Sequence, residues 1–128
     1  MAKRIREKAI ARAEKADKRP RAKVSYVGVS PSKVKLVLDL IRGQKAELAV
    51  AMVAGMNNAS APAIKKLIES AMANAENKGF DKSELYIAET YATPGPTMKR
   101  RNIRGRGRMD VMIKRSSHIT VILDQVKE

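Results

Sequence analysis

A chain of 128 residues is most simply one domain around one core, and its 27 Lys and Arg against 13 Asp and Glu leave a net charge of +14. A charge so far from zero opposes a lone compact state and calls for a polyanionic counterweight, with nucleic acid first among the candidates. The absence of cysteine excludes a disulfide frame, a thiolate nucleophile and the usual zinc cluster, and no apolar window has the length of a membrane span.

The charge is unevenly divided. Residues 1–23 hold ten basic and three acidic side chains, and residues 94–118 hold eight and one, whereas residues 24–93 are close to neutral with eight and seven. Two cationic segments therefore flank an ordinary globular body. The first, "MAKRIREKAIARAEKADKRP", lacks the unbroken apolar run of a secretory signal, and its Glu7, Glu14 and Asp17 and want of Ser set it apart from a transit peptide. The chain reads as cytosolic.

In chain order, the first eighteen residues favour a helix, with Ile5, Ala9, Ala13 and Ala16 as a stripe too thin to hold a core. "DKRPRAK" reads as a basic linker and "VSYVGV" as a short strand. "SPSKVKLVLDLIRG" is the best-specified element. Ser30 is the predicted N-cap, Pro31 suits the first turn, Gly43 suits the position past the end, and Val34, Val37, Leu38 and Ile41 form the inward stripe. A second helix is expected from about Lys45 to Ala54, with Leu48, Ala49, Met52 and Val53 inward. A third follows Ser60 as N-cap, with Ile64, Leu67, Ile68, Ala71, Met72 and Ala75 inward and "NKG" closing it.

After Gly79 the period changes from 3.6 to 2. "SELYIAETYA" reads as one strand and "MDVMIKRSSHITVIL" as another, with Met109, Val111, Ile113, Ile119, Val121 and Leu123 on one face. They bracket "GPTMKRRNIRGRGR", in which six cations and three glycines meet no acid. The arrangement predicts a hairpin with a glycine-rich cationic far end and strands of roughly ten residues, reaching about 30 Å at about 3.3 Å per residue. A bare hairpin of that kind is marginal in water, so its order comes from what it touches. Lys99, Arg100, Arg101, Arg104, Arg106 and Arg108 are the candidate phosphate ligands, since guanidinium suits bidentate grip and glycine allows close backbone approach. A charge run is more often merely solvated, but this one lies between two patterned strands.

Catalytic chemistry finds little material. His118 is the sole histidine, and its strand position suits a structural or RNA-contacting role; Ser116 and Ser117 beside it make no triad, because strand neighbours point to opposite faces. "GRGRMD" lacks the spacing of a nucleotide loop, and with Tyr26, Phe80, Tyr86 and Tyr91 as the only other aromatic rings, base stacking across a sheet is not expected. No enzyme, cofactor or metal site is expected. A free-standing architectural binder of DNA or RNA is the alternative function, and a cationic membrane-surface protein is disfavoured by the thin alanine stripe.

"VSPSKVKLVLDLIRG" at 29–43, "AMANAENKG" at 71–79, "GPTMKRR" at 95–101 and "KRSSHITVIL" at 114–123 together resemble the L-twenty-two family of large-subunit ribosomal proteins, in its order and spacing, over about residues 23–124. The resemblance implies an α+β fold: three helices packed on a small antiparallel three-stranded sheet, with a long protruding β-hairpin arm and, here, a basic N-terminal extension. It implies an extension at 1–22, one domain at 23–124 with the arm at about 88–112, and a tail at 125–128.

The same resemblance implies a structural constituent of the large subunit that binds its rRNA, supports its assembly and lines the peptide exit tunnel. Its partners would be rRNA, neighbouring ribosomal proteins and the nascent peptide, with no membrane and no homo-oligomer, in a cytoplasmic or organellar ribosome. Contacts to rRNA are expected at Lys33, Lys35, Arg42, Lys114, Arg115 and His118 in addition to the six arm cations, and a tunnel-lining tip at Gly95, Pro96, Met98, Lys99 and Arg100. The family links that tip to macrolide sensitivity. Two departures stand out: Ser32 where the family usually has Arg after Ser-Pro, and "IRGRGR" where it commonly reads Pro-Arg-Ala-Arg-Gly.

Overall fold

The computed structural model describes residues 2–126. Helix α1 (Ala2–Lys15) is followed by β1 (Arg21–Val27), α2 (Pro31–Ile41), α3 (Ala46–Ala54), α4 (Ala61–Asn77), β2 (Leu85–Pro94), β3 (Met98–Ile103), β4 (Met109–Lys114) and β5 (Ser117–Gln125). The fold is α+β with two antiparallel sheets: three strands in the order β1-β5-β2, and the pair β3-β4. Four α-helices are present among the described residues: the three expected to pack on the sheet, and α1 in the stretch whose composition favours a helix. The side chains of α1 are exposed from Lys3 to Lys15. Ile5 is 67% exposed, so this helix rests on the propensity of Ala, Lys, Arg and Glu and not on packing.

The core lies between the three-stranded sheet and helices α2, α3 and α4. Val34, Val37, Leu38 and Ile41 of α2 are buried as the spacing predicts, and Ile64, Leu67, Ile68, Ala71 and Ala75 do the same on α4, with Met72 half-buried. From the sheet come Leu85 and Ile87 of β2 and Ile119, Val121 and Leu123 of β5. Burial of this many aliphatic side chains is what carries the fold, at roughly 1.5–3 kcal/mol for each large one before the entropy of ordering is set against it.

Helix α3 departs from expectation. It buries Ala46, Ala49 and Val53, while Leu48 is 50% exposed and Met52 half-buried. "AELAVAMVA" is apolar nearly all round, so its pattern has no polar face to fix the phase, and the small side chains at 46 and 49 are the ones that admit a close neighbour. Ser60 occupies the N-cap of α4, but its hydroxyl donates to Asn58 Oδ1 at 2.9 Å instead of capping the helix.

The linker read from "DKRPRAK" is largely ordered. Strand β1 begins at Arg21, because Arg21, Ala22 and Lys23 pair with Ile122, Val121 and Thr120 of β5. Ahead of it, Arg19 bridges Asp17 (2.7 Å) and Glu89 (2.9 Å), and Lys78 Nζ donates to the carbonyls of Lys18 and Arg19. The expected tail at 125–128 starts later, since Gln125 belongs to β5 and the Val126 N–H donates to the Glu84 carbonyl at 3.2 Å; residues 127 and 128 lie outside the described residues.

The single long strand expected from "MDVMIKRSSHITVIL" is two strands, β4 and β5, broken at Arg115 and Ser116. Its six same-face residues divide accordingly: Ile119, Val121 and Leu123 are buried, whereas Met109, Val111 and Ile113 are exposed. The break separates body from arm.

Candidate nucleic-acid interface

The arm is the hairpin β3-β4, residues 98–114, and not 88–112. Residues up to Pro94 pair with β5 in the body sheet, and the arm register then runs from Met98 opposite Lys114 to Ile103 opposite Met109. Six residue pairs give a reach of about 20 Å at about 3.3 Å per residue, shorter than the expected 30 Å. The chain reverses over Arg104–Arg108, where the Arg104 N–H donates to the Arg108 carbonyl at 2.8 Å and left-handed backbone falls at Arg106 (φ 58°) and Gly107 (φ 72°). The tip is therefore Arg104–Arg108. Gly95 and Pro96, expected there, sit at the arm's root, and Met98, Lys99 and Arg100 lie in its proximal half, because the turn glycines are 105 and 107.

Directly opposed residues share a face of a hairpin. One face thus carries Lys99 and Arg101 opposite Ile113 and Val111, and the other carries Arg100 opposite Met112 and Lys114 opposite Met98. Both faces are exposed throughout, and Ile103 reaches 80% exposure. Arg104 is committed to Asp110, the sole acid between residues 94 and 118, with Nε 2.7 Å from its carboxylate. Lys99, Arg101, Arg106, Arg108, Lys114 and Arg115 have no ion pair or side-chain hydrogen bond among the described residues. Their charge is available to a ligand.

At the root, Gly95 and Ser116 continue the ladder from the body into the arm, with the Gly95 N–H donating to the Ser116 carbonyl at 2.9 Å and Ser116 Oγ donating to the Pro96 carbonyl at 2.7 Å. His118, expected to touch RNA, has a structural engagement. Its Nδ1 accepts the Tyr26 N–H at 3.0 Å, and its ring meets that of Tyr26 edge-on with centroids 4.9 Å apart. An Nδ1 that accepts leaves the proton of the neutral ring on Nε2. Tyr26 lies in a bulge of β1 with φ 60°, a conformation that costs a bulky residue of order 1 kcal/mol.

On α2, Lys33 and Lys35 are exposed, and Lys33 borders the cleft between the helix and the arm's root. Arg42 is exposed as well but is engaged within the body. It pairs with Asp39 at 3.0 Å and donates to the Thr90 carbonyl at 3.0 Å, tying the end of α2 to β2. Two cations that sequence reasoning assigned to a linker lie elsewhere than expected: Arg21 and Lys23 line a shallow groove with Tyr91 and Thr93 on the sheet face away from the helices. The alternation of Arg21, Lys23 and Ser25 with Ala22 and Val24 is the signal that could have found them.

Among the described residues no group of His, Asp and Glu is arranged to hold a metal ion, and no helix is long and apolar enough to cross a membrane. The arrangement can bind an extended polyanion at several places.

Comparison with known proteins agrees. The family model described as ribosomal protein L22p/L17e matches residues 22–124. The large ribosomal subunit protein uL22 of Agathobacter rectalis is 47% identical over 118 residues, covering 89% of this chain and 90% of that protein. Its counterpart from Lachnospira eligens is 49% identical over 110 residues, covering 85% and 86%, and that from Staphylococcus aureus is 47% identical over 103 residues, covering 80% and 88%. The chain belongs to the ribosomal protein L22p/L17e family, a family of structural proteins and not of enzymes.

Proposed function

We propose that the protein is a structural constituent of the large ribosomal subunit, anchored on rRNA by its body and extending its arm along rRNA into the subunit. The observation that carries this reading is the arm: a hairpin without a core, cationic on both faces, whose one acid is already neutralised by Arg104. Such a segment gains order and charge compensation together when phosphates surround it. The relatives named above, called large ribosomal subunit proteins, point to the same partner.

In this reading Lys99, Arg100, Arg101, Arg106 and Arg108 grip phosphates along the arm, Lys33, Lys35, Lys114 and Arg115 do so at its root, and the extension of residues 1–22 follows a further stretch of backbone. Arg42 and His118 act indirectly, by fixing α2 and Tyr26. The tip at Arg104–Arg108 faces the path of the nascent peptide. The protein works as a single copy in the cytoplasmic ribosome beside other ribosomal proteins. Sucrose-gradient fractionation of cells that carry a tagged chain tests this. One copy per large subunit is the expected result, and a main population in the light fractions would contradict it in favour of a free architectural binder.

A further inference from the structure

The cleft where the arm leaves the body is built unlike the rest of the cationic surface. It is open, with a volume of about 910 Å3, and its wall combines the apolar side chains of Tyr26, Met98 and Ile113 with the cations of Lys33, Lys114 and Arg115. No acidic residue lines it. Pockets of this volume hold small molecules up to the size of a nucleotide or drug.

Tyr26 is the unusual member. It is 71% exposed although its strand neighbours Ala22 and Val24 turn toward the core, and it holds left-handed backbone. Two contacts with His118 keep it there: the N–H to Nδ1 hydrogen bond and the edge-on ring packing. Strain maintained by dedicated contacts is a mark of ligand sites, and here its product is a flat aromatic face held outward beside three cations.

We propose that this cleft takes one unstacked nucleotide of the bound RNA, with the base stacked on the Tyr26 ring and the phosphate held among Lys33, Lys114 and Arg115. Single-stranded bases pulled out of a helix are the ordinary targets of sequence-tolerant aromatic stacking. The three cations without a compensating carboxylate select a polyanion over a peptide tail. The inference rests on the reading of the chain as an rRNA-bound protein, and it adds a point where RNA is held by its base as well as by its backbone.

Chemical probing of rRNA in large subunits purified from cells that carry only Tyr26→Phe, Tyr26→Asn or the unaltered chain tests it. Asparagine tolerates the left-handed backbone without supplying a ring, so Tyr26→Asn separates stacking from folding. The expected result is one rRNA nucleotide protected in the unaltered and Tyr26→Phe subunits and about tenfold more reactive at its base with Tyr26→Asn. Arg115→Ala should expose the same nucleotide. Identical reactivity in all subunits, with the protein present at one copy in each, would overturn the nucleotide site while leaving rRNA binding intact. A photoreactive side chain at position 26 that captures a neighbouring protein and no RNA would overturn it equally. If the unaltered chain were missing from large subunits, the functional reading itself would fall.

Discussion

A methyl group on Gly95 would lie 2.5 Å from Ser116 Oγ and 3.2 Å from His118 Cε1. The root of the arm thus has room for a side chain at position 95 only if the Ser116 hydroxyl turns away, and the three residues are fitted to one another. Gly95→Ala should displace Ser116, break its bond to the Pro96 carbonyl and cost about 1–3 kcal/mol by the usual scale of overpacking. Urea denaturation of the single variant and of Gly95→Ala with Ser116→Gly measures it. Recovery of more than half the loss in the double variant is expected, because the second change removes the atom in conflict.

His118 should behave as a structural residue. Replacing it by Phe keeps a ring against Tyr26 and removes the acceptor at Nδ1, so a loss of about 0.5–1.5 kcal/mol is expected in the same assay.

The phase of α3 predicts a contrast between neighbours. Val53, fully buried, should cost about 1–3 kcal/mol when replaced by Ala, whereas Leu48→Ala should cost less than about 1 kcal/mol. A loss at Leu48 as large as that at Val53 would show instead that the helix buries both, as its sequence alone suggests.

Asp17 supplies a titration test. The Arg19 guanidinium and N–H bonded to its carboxylate lower its pKa from the ordinary 3.8 to about 2. A depressed carboxyl contributes stability that is fully present above the unfolded value and is lost as pH falls through the folded one, so this contact should dissolve between about pH 4 and pH 2. Carbon-detected NMR of the Asp17 carboxyl should show a midpoint near 2 that returns to the ordinary value in Arg19→Ala.

Much of the fold was legible because helices α2 and α4 carry clear polar faces and end signals. Their inward stripes came out residue by residue, as did Ile119, Val121 and Leu123 of β5. What failed shares a cause: the deciding term was tertiary. The phase of α3 is set by its neighbour, and the early start of β1 is set by pairing with β5, neither of which leaves a local trace. The arm's cations were visible as charge, but its length and tip were not, because the apolar alternation that stops at Ile113 resumes in the same phase at Ile119, and a local pattern does not tell whether its residues face a core or solvent. The roles of Tyr26 and His118 depend on two residues 92 positions apart, which no pattern within the sequence connects.

The arm's charges should be separable from the body. Lys99, Arg100 and Arg101 replaced together by Ala should leave stability within about 0.5 kcal/mol, since none is buried, and should reduce the salt dependence of RNA binding by about two to three units of slope. Parallel urea denaturation and RNA titrations from low to moderate salt check both halves.

The most direct test of the account places a photoreactive side chain at Ile103, the most exposed apolar residue of the arm, in living cells, followed by sequencing of the captured RNA. Crosslinks confined to a few fixed positions of large-subunit rRNA are the predicted result. Crosslinks spread over many messages, or mainly to DNA, would contradict the placement of the arm within the ribosome.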